Sequence, residues 1–85
     1  MRVVILTRQD YHSTENGGIM ISTMHRVVGV YGNQTLAENA MFEMYPDARY
    51  DEYGSYRYEH HYYTDPDRFG NGELLAISTQ EIIET

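Results

Sequence analysis

RVVILTRQDY, at residues 2–11, gives the strongest strand signal in this chain. After Arg2 come four consecutive apolar residues, three of them β-branched, which favour extended backbone. Such a run is typical of a strand that is covered on both faces or lies in the middle of a sheet. The polar residues 12–18 that follow end in Asn-Gly-Gly. Because these residue types tolerate positive φ, we expect the chain to reverse direction there.

The stretch after this reversal, IMISTMHRVVGVY at residues 19–31, contains no proline and no turn signal. Its β-branched residues predict one long or bent antiparallel strand that returns along the first. Gly29 is the predicted position of a bulge, since glycine inside a strand often marks one.

Helix signals follow a break at Gly32 and Asn33. Thr35 and Glu38 have the spacing of a capping box, in which each side chain accepts from the other residue's backbone amide. The helix is therefore predicted to begin at Leu36. It should end before Pro46, because the residue preceding a proline avoids the helical region. An apolar stripe at helical spacing consists of Ala37, Ala40, Met41 and Met44.

The second half of the chain predicts another hairpin. Residues 47–54 resemble an irregular acidic link, and residues 55–64 alternate so that Tyr56, Tyr58, His60 and Tyr62 share one face of a strand. Turn-forming residues 65–72 then lead into a returning strand at 73–83.

These elements predict an α+β fold in the order β-β-α-β-β. The simplest arrangement is a four-stranded antiparallel sheet with one helix across one face. A chain of 85 residues buries only about 60–65% of the surface it exposes when unfolded, so residues 1–85 should form a single domain.

Charge narrows the classes of partner. Thirteen carboxylates oppose six arginines and no lysine, for a net charge of −7. This charge argues against direct binding to nucleic acid or to anionic lipid and is compatible with a basic partner protein. The absence of cysteine predicts a reducing, cytoplasmic setting. No apolar run is long enough for a signal peptide or a membrane span.

Seven of the nine tyrosines crowd into residues 45–63, and this cluster has two interpretations. The tyrosines can pack under the helix, or they can form a contact surface rimmed by carboxylates, since interfaces favour tyrosine. Seven exceed what one strand face can bury, so we expect Tyr56 and Tyr58 to point inward and Tyr50, Tyr53 and Tyr63 outward. The predicted binding residues are Tyr45, Asp47, Tyr50, Asp51, Glu52, Tyr53, Tyr63, Asp65 and Asp67.

No pattern predicts catalysis or a cofactor. Adjacent strand residues point to opposite faces, so His60 and His61 are not expected to bind one metal ion. Serine stands in no nucleophile motif, and the glycine-rich turns lack the strand-to-helix context of a phosphate-binding loop. We therefore expect a protein that is not an enzyme.

Three segments, RVVILTRQDYH, VVGVYGN and TLAENAM, resemble small accessory proteins of unknown function encoded by bacteriophages. The similarity covers residues 2–44. It implies a phage-type accessory protein in the cytoplasm of a host cell, and it supplies no catalytic residue.

The function predicted from charge, size and this resemblance is binding without catalysis. The acidic, tyrosine-rich surface would dock onto a basic surface of a host protein and occlude it, for example in a defence nuclease or another nucleic-acid-binding factor. The alternative is a self-associating structural module, a homodimer formed through an exposed sheet edge or apolar face.

Overall fold

The computed structural model describes residues 1–83, which form a mostly β structure with one short helix. The elements in chain order are β1 (Arg2–Ser13), β2 (Ile19–Ile21), β3 (Arg26–Tyr31), α1 (Gln34–Met44), β4 (Arg49–Tyr56), β5 (Glu59–Tyr63) and β6 (Asn71–Glu81).

The centre of the sheet is the long antiparallel pair of β1 and β6. Their ladder runs from Arg2 opposite Glu81 to His12 opposite Asn71. The other side of β1 is taken by β2 and β3, and the other side of β6 by β5. The prediction that the first strand lies in the middle of a sheet is confirmed, since β1 has paired strands on both sides.

The four-stranded sheet predicted from the sequence is wrong. The sheet has six strands in the order β2-β1-β6-β5-β4, with β3 also paired to β1, and it curls into an antiparallel half-barrel. The predicted second strand is interrupted at residues 22–25, where the Ser22 amide donates to the Asp10 carbonyl at 2.9 Å. It therefore forms β2 and β3 in turn along the same side of β1.

The other error concerns residues 47–64. The supposed acidic link contributes most of β4, which pairs with β5 through a tight turn at Arg57 and Tyr58. The single alternating strand predicted for 55–64 is therefore two strands of a hairpin. The face on which a side chain lies cannot be counted by simple alternation across such a turn, because the chain reverses direction within it.

The core lies between α1 and one face of the sheet. Leu6 stands opposite Ile77 in the β1–β6 ladder, and both side chains are buried against the helix. The opposite face, called here the open face, is not covered by α1. The buried residues of the core are Val4, Leu6, Ala37, Met41, Tyr62, Leu75 and Ile77.

The helix begins earlier than predicted and has a different cap. Asn33 is the N-cap residue, and its side-chain oxygen accepts from the Leu36 amide at 2.9 Å. Glu38 is not part of a capping box, because its carboxylate accepts from the Gln34 side chain at 2.8 Å and from the Tyr62 hydroxyl at 3.3 Å. The predicted end is confirmed: α1 stops at Met44, and Tyr45 is its C-cap.

This cap gives a first testable prediction. Asn33→Ala should lower the free energy of unfolding by about 1 kcal/mol, because the Leu36 amide loses its acceptor. Thr35→Ala should change it by less than about 0.5 kcal/mol, as expected for an exposed residue without a capping role. Urea unfolding followed by circular dichroism measures both. Equal losses in the two variants would contradict the assignment of Asn33 as the cap.

Candidate functional site

The tyrosine hairpin, defined as residues 49–63 of β4, its turn and β5, carries most of the tyrosine cluster at one edge of the sheet. Tyr53 is fully exposed, and Tyr56 and Tyr58 are 60% and 53% exposed. The prediction that Tyr56 and Tyr58 point inward is wrong. Tyr53 points outward as predicted, whereas Tyr63 is half-buried. Tyr50 is exposed, but it lies on the helix side, where its ring contacts that of Tyr62 with centroids 5.4 Å apart.

The turn of the hairpin explains the error. Tyr56 stands opposite Glu59, so it shares the open face with His61, whose ring lies 6.1 Å from its own. Tyr62 lies on the helix side and is the one buried tyrosine among the described residues. Its ring contacts Phe42 of the helix edge-on, with centroids 5.8 Å apart.

A bulge in β4 presents Tyr53. The Asp51 carboxylate accepts from the amides of Tyr53 and Gly54 at 3.1 and 3.3 Å. Ser55 closes the bulge, since its hydroxyl donates to the Asp51 carbonyl at 2.7 Å and accepts from the His61 amide at 2.9 Å. These bonds replace the regular ladder between Asp51 and Tyr56. They hold the backbone that carries the exposed Tyr53 ring.

Carboxylates surround the tyrosines. Glu52 is exposed beside Tyr53, and Glu59 accepts a hydrogen bond from the Tyr56 hydroxyl, which raises the pKa of Tyr56. The two arginines of the hairpin are engaged locally: Arg49 pairs with Asp65 at 3.0 Å, and the Arg57 guanidinium lies over the Tyr58 ring at 5.1 Å. The surface is therefore aromatic and negatively charged.

The structure divides the predicted binding residues into separate groups. Tyr50, Asp51, Glu52 and Tyr53 lie together on the tyrosine hairpin. A second group lies around an open hollow of about 500 Å³ between the end of α1 and the loop before β6. Tyr63 lies in a neighbouring cleft, which Asp51 and Asp65 also line. The predicted residues that line the hollow are Tyr45, Asp47, Asp65 and Asp67.

The second group has structural roles. The Tyr45 hydroxyl accepts from the Arg8 guanidinium at 2.9 Å, and its ring packs against the core. The Asp67 carboxylate accepts from the amides of Phe69 and Asn71 at 2.8 and 3.0 Å, which shapes the loop. Because these groups already serve the fold, the tyrosine hairpin is the better candidate for contact with a partner.

Histidine and carboxylate side chains also meet on the open face. A cleft of about 250 Å³ is lined in part by Asp51, Glu59 and His61. The His61 Nε2 atom lies 3.5 Å from the Glu59 carboxylate. The Asp51 carboxylate already accepts from the Tyr53 amide in the β4 bulge. Among residues 1–83, no group of three or more histidine, aspartate or glutamate side chains is placed to hold a metal ion.

The sequence interpretation missed a second surface, on the opposite edge of the sheet. The apolar edge, as we call it, has six side chains that are between 52% and 66% exposed. A signal was present, since residues 16–37 contain no carboxylate although the chain has thirteen. The six residues of the apolar edge are Ile19, Met20, Ile21, Met24, Val27 and Val30.

No protein-family model matches the chain, and no curated protein or solved structure is significantly similar to it. The resemblance to bacteriophage accessory proteins therefore stays a prediction. The helix that the structure describes is too short to cross a membrane.

Proposed function

We propose that the protein is a non-catalytic binding protein that docks its tyrosine hairpin onto a basic surface of a partner protein. The observation that carries this proposal is the fully exposed ring of Tyr53 on a hydrogen-bonded bulge, with Tyr56 and Tyr58 also more than half exposed on the same hairpin. Tyrosine supplies large contact area with few rotatable bonds, and energetic centres of interfaces are enriched in it.

The bulge supports binding as well as exposure. The backbone around Tyr53 is held by the Asp51 carboxylate and the Ser55 hydroxyl before any partner arrives. A preorganised contact segment loses less conformational freedom on binding than a flexible loop does. The same bulge interrupts the ladder at this sheet edge, which disfavours indiscriminate strand pairing there.

Electrostatics define the kind of partner. Residues 45–67 contain six carboxylates and two arginines, and both arginines are engaged within the protein. Such a surface attracts a positive patch, accelerates association and rejects acidic partners. A positive groove that normally holds nucleic acid fits this description. Occlusion of a host defence nuclease or of transcription machinery, in the host cytoplasm, is the form that a phage origin would favour.

The test is capture of a partner by tagged protein, compared between matched variants. Tyr53→Ser with Tyr56→Ser removes two exposed rings of the hairpin, and Phe69→Ser with Ile83→Ser removes two exposed apolar side chains elsewhere. Partner proteins retained at low salt by the wild type and by the control pair should be lost from the hairpin pair. With a purified partner, each tyrosine should account for about a tenfold change in Kd or more.

The contribution of the carboxylates to binding can be measured separately, through the association rate. Glu52→Gln should slow association and flatten its dependence on salt, while the dissociation rate changes little, because rim charges act mainly on encounter. Retention of the same partners by the hairpin pair would contradict the proposal, as would failure of the wild type to retain any protein at low salt.

A further inference from the structure

We propose that the apolar edge is the interface of a homodimer, in which two copies meet edge to edge about a two-fold axis. This surface lies at the other end of the sheet order from the tyrosine hairpin. Across the curled open face, Ile19 and Ile21 share one cleft with Tyr63 of that hairpin, whereas β3 lies outside this cleft. The inference therefore goes beyond binding to a basic partner and does not depend on it.

The arrangement of β2 and β3 concentrates apolar side chains. Ile21 stands opposite Tyr11, and Val27 and Val30 stand opposite Thr7 and Ile5, which places all three on the open face. The bulge at Val28 turns that side chain toward the core, so Val27 and Val30 point the same way although they are three residues apart. Ile19 continues the same face from β2, opposite Ser13.

The size of this surface suits a second copy of the chain. Burying one such side chain fully removes on the order of 100 Å² of apolar surface from water. Four of the six side chains lie on the open face, Met20 lies on the other face opposite His12, and Met24 lies in the loop between β2 and β3. Since each is more than half exposed, a copy that covers both faces of this edge meets about 400 Å² of apolar surface. Homodimer interfaces are about 65% apolar, so an apolar area of about 400 Å² corresponds to a total interface of about 600 Å² per partner. A standard interface buries about 800 Å² per partner.

Charge selects this edge over the rest of the surface. Two copies that each carry a charge of −7 repel one another wherever carboxylates face carboxylates. Residues 16–37 contain no carboxylate and one arginine, Arg26, so that repulsion is weak along β3. It is stronger beside β2, where Asp51 and Asp65 line the same cleft as Ile19 and Ile21. A second copy brings the same apolar, carboxylate-free stretch, and a two-fold axis sets one against the other.

The outer side of β3 adds a backbone component. Within the described chain, β3 pairs with β1 on one side and with no strand on the other. It contains no lysine, proline or carboxylate, although it has one charged residue, Arg26, and the bulge at Val28. The opposite edge, β4, also has a bulge and carries the carboxylates of Asp51 and Glu52. The two edges therefore differ in charge, and β3 has no carboxylate to repel a second copy.

The experiment measures mass in solution by sedimentation equilibrium over a range of micromolar concentrations. The wild type should show the mass of a dimer that dissociates on dilution. Ile21→Glu with Val27→Glu should be monomeric throughout. Phe69→Glu with Ile83→Glu adds the same two charges at exposed positions elsewhere and should remain dimeric.

A second pair of substitutions tests whether added negative charge alone explains the loss of the dimer. Ile21→Arg with Val27→Arg reduces the negative charge yet places unpaired cations in the interface, so it should also be monomeric. Far-ultraviolet circular dichroism confirms that each variant is folded. A wild type that is monomeric at every concentration would overturn the inference, as would a dimer that persists in both Ile21 and Val27 pairs. Loss of partner capture through the tyrosine hairpin would leave the dimer mass unchanged.

Discussion

Replacing Met41 by alanine is expected to lower the free energy of unfolding by about 2–5 kcal/mol. Met41 has no exposed surface and lies in the core cluster beneath the helix, beside Ala37 and against β1 and β6. Truncation leaves a cavity that the surrounding sheet cannot fill by relaxing. Total stabilities are about 0.05–0.15 kcal/mol per residue, so the loss is a large part of what an 85-residue chain has.

Met44 is the matched control on the same helix. The sequence placed both methionines in one apolar stripe, but Met44 is 46% exposed. Met44→Ala should therefore change the free energy of unfolding by less than about 0.5 kcal/mol. Met41→Leu, which conserves volume, should cost less than about 1.5 kcal/mol. Urea unfolding of the three variants measures these differences, and similar losses at positions 41 and 44 would contradict the placement of the helix.

The stability of the protein should fall as pH rises above 10, through Tyr62. Burial, with the nearby Glu38 carboxylate, raises the pKa of Tyr62 from its usual 10.0 to about 12. Below pH 10 the folded and unfolded states both retain the proton, and this group adds no pH dependence. Between pH 10 and 12 the unfolded state releases its proton first, which favours unfolding. The loss reaches about 2–3 kcal/mol above pH 12.

Chemical unfolding at a series of pH values tests this expectation, with Tyr62→Phe and Tyr53→Phe compared with the wild type. The Tyr62 variant should lose most of the fall, while the variant of the fully exposed Tyr53 should retain it. A smaller fall in the free energy of unfolding with pH should remain in Tyr62→Phe, because burial also raises the pKa of Tyr11. If the free energy of unfolding fell equally with pH in Tyr62→Phe and in the wild type, Tyr62 could not be the buried phenol that controls stability at high pH.

The two proposed surfaces lie at opposite edges of the sheet order, β4 with β5 on one side and β2 with β3 on the other. A dimer formed through the apolar edge would therefore present two tyrosine hairpins to its surroundings. A partner with two basic sites at a suitable spacing would bind such a dimer with greater avidity than either hairpin alone provides.

Local patterns predicted the elements that depend on neighbours in sequence. The apolar run at 3–6 predicted β1, and Pro46 predicted the end of α1 at Met44. The last strand was also predicted, as 73–83 against the observed Asn71–Glu81. The helix start was misplaced by two residues because Asn33 and Thr35 are both good capping residues. Only the backbone conformation at Asn33 decides which side chain meets the Leu36 amide.

The binding residues stay a prediction, but their placement is now described. Residues 50–53 lie on one hairpin, and Asp65 joins it through an ion pair with Arg49. The position of Tyr45 and Asp67 away from this hairpin could not be predicted, since it depends on how α1 and the loop before β6 sit against the sheet. The apolar edge was missed because IMI and RVVGV have the composition of buried strands.

Local sequence was enough to predict β-strands with one short helix and to show that tyrosine and negative charge concentrate in the second half of the chain. These properties follow from side-chain preference and composition, which act within a few residues. Tertiary structure alone decided which tyrosines are exposed. The turn at Arg57 and Tyr58 reverses the chain and sends Tyr56 and Tyr62 to opposite faces, and long-range pairing of β5 with β6 fixes Tyr62 under the helix.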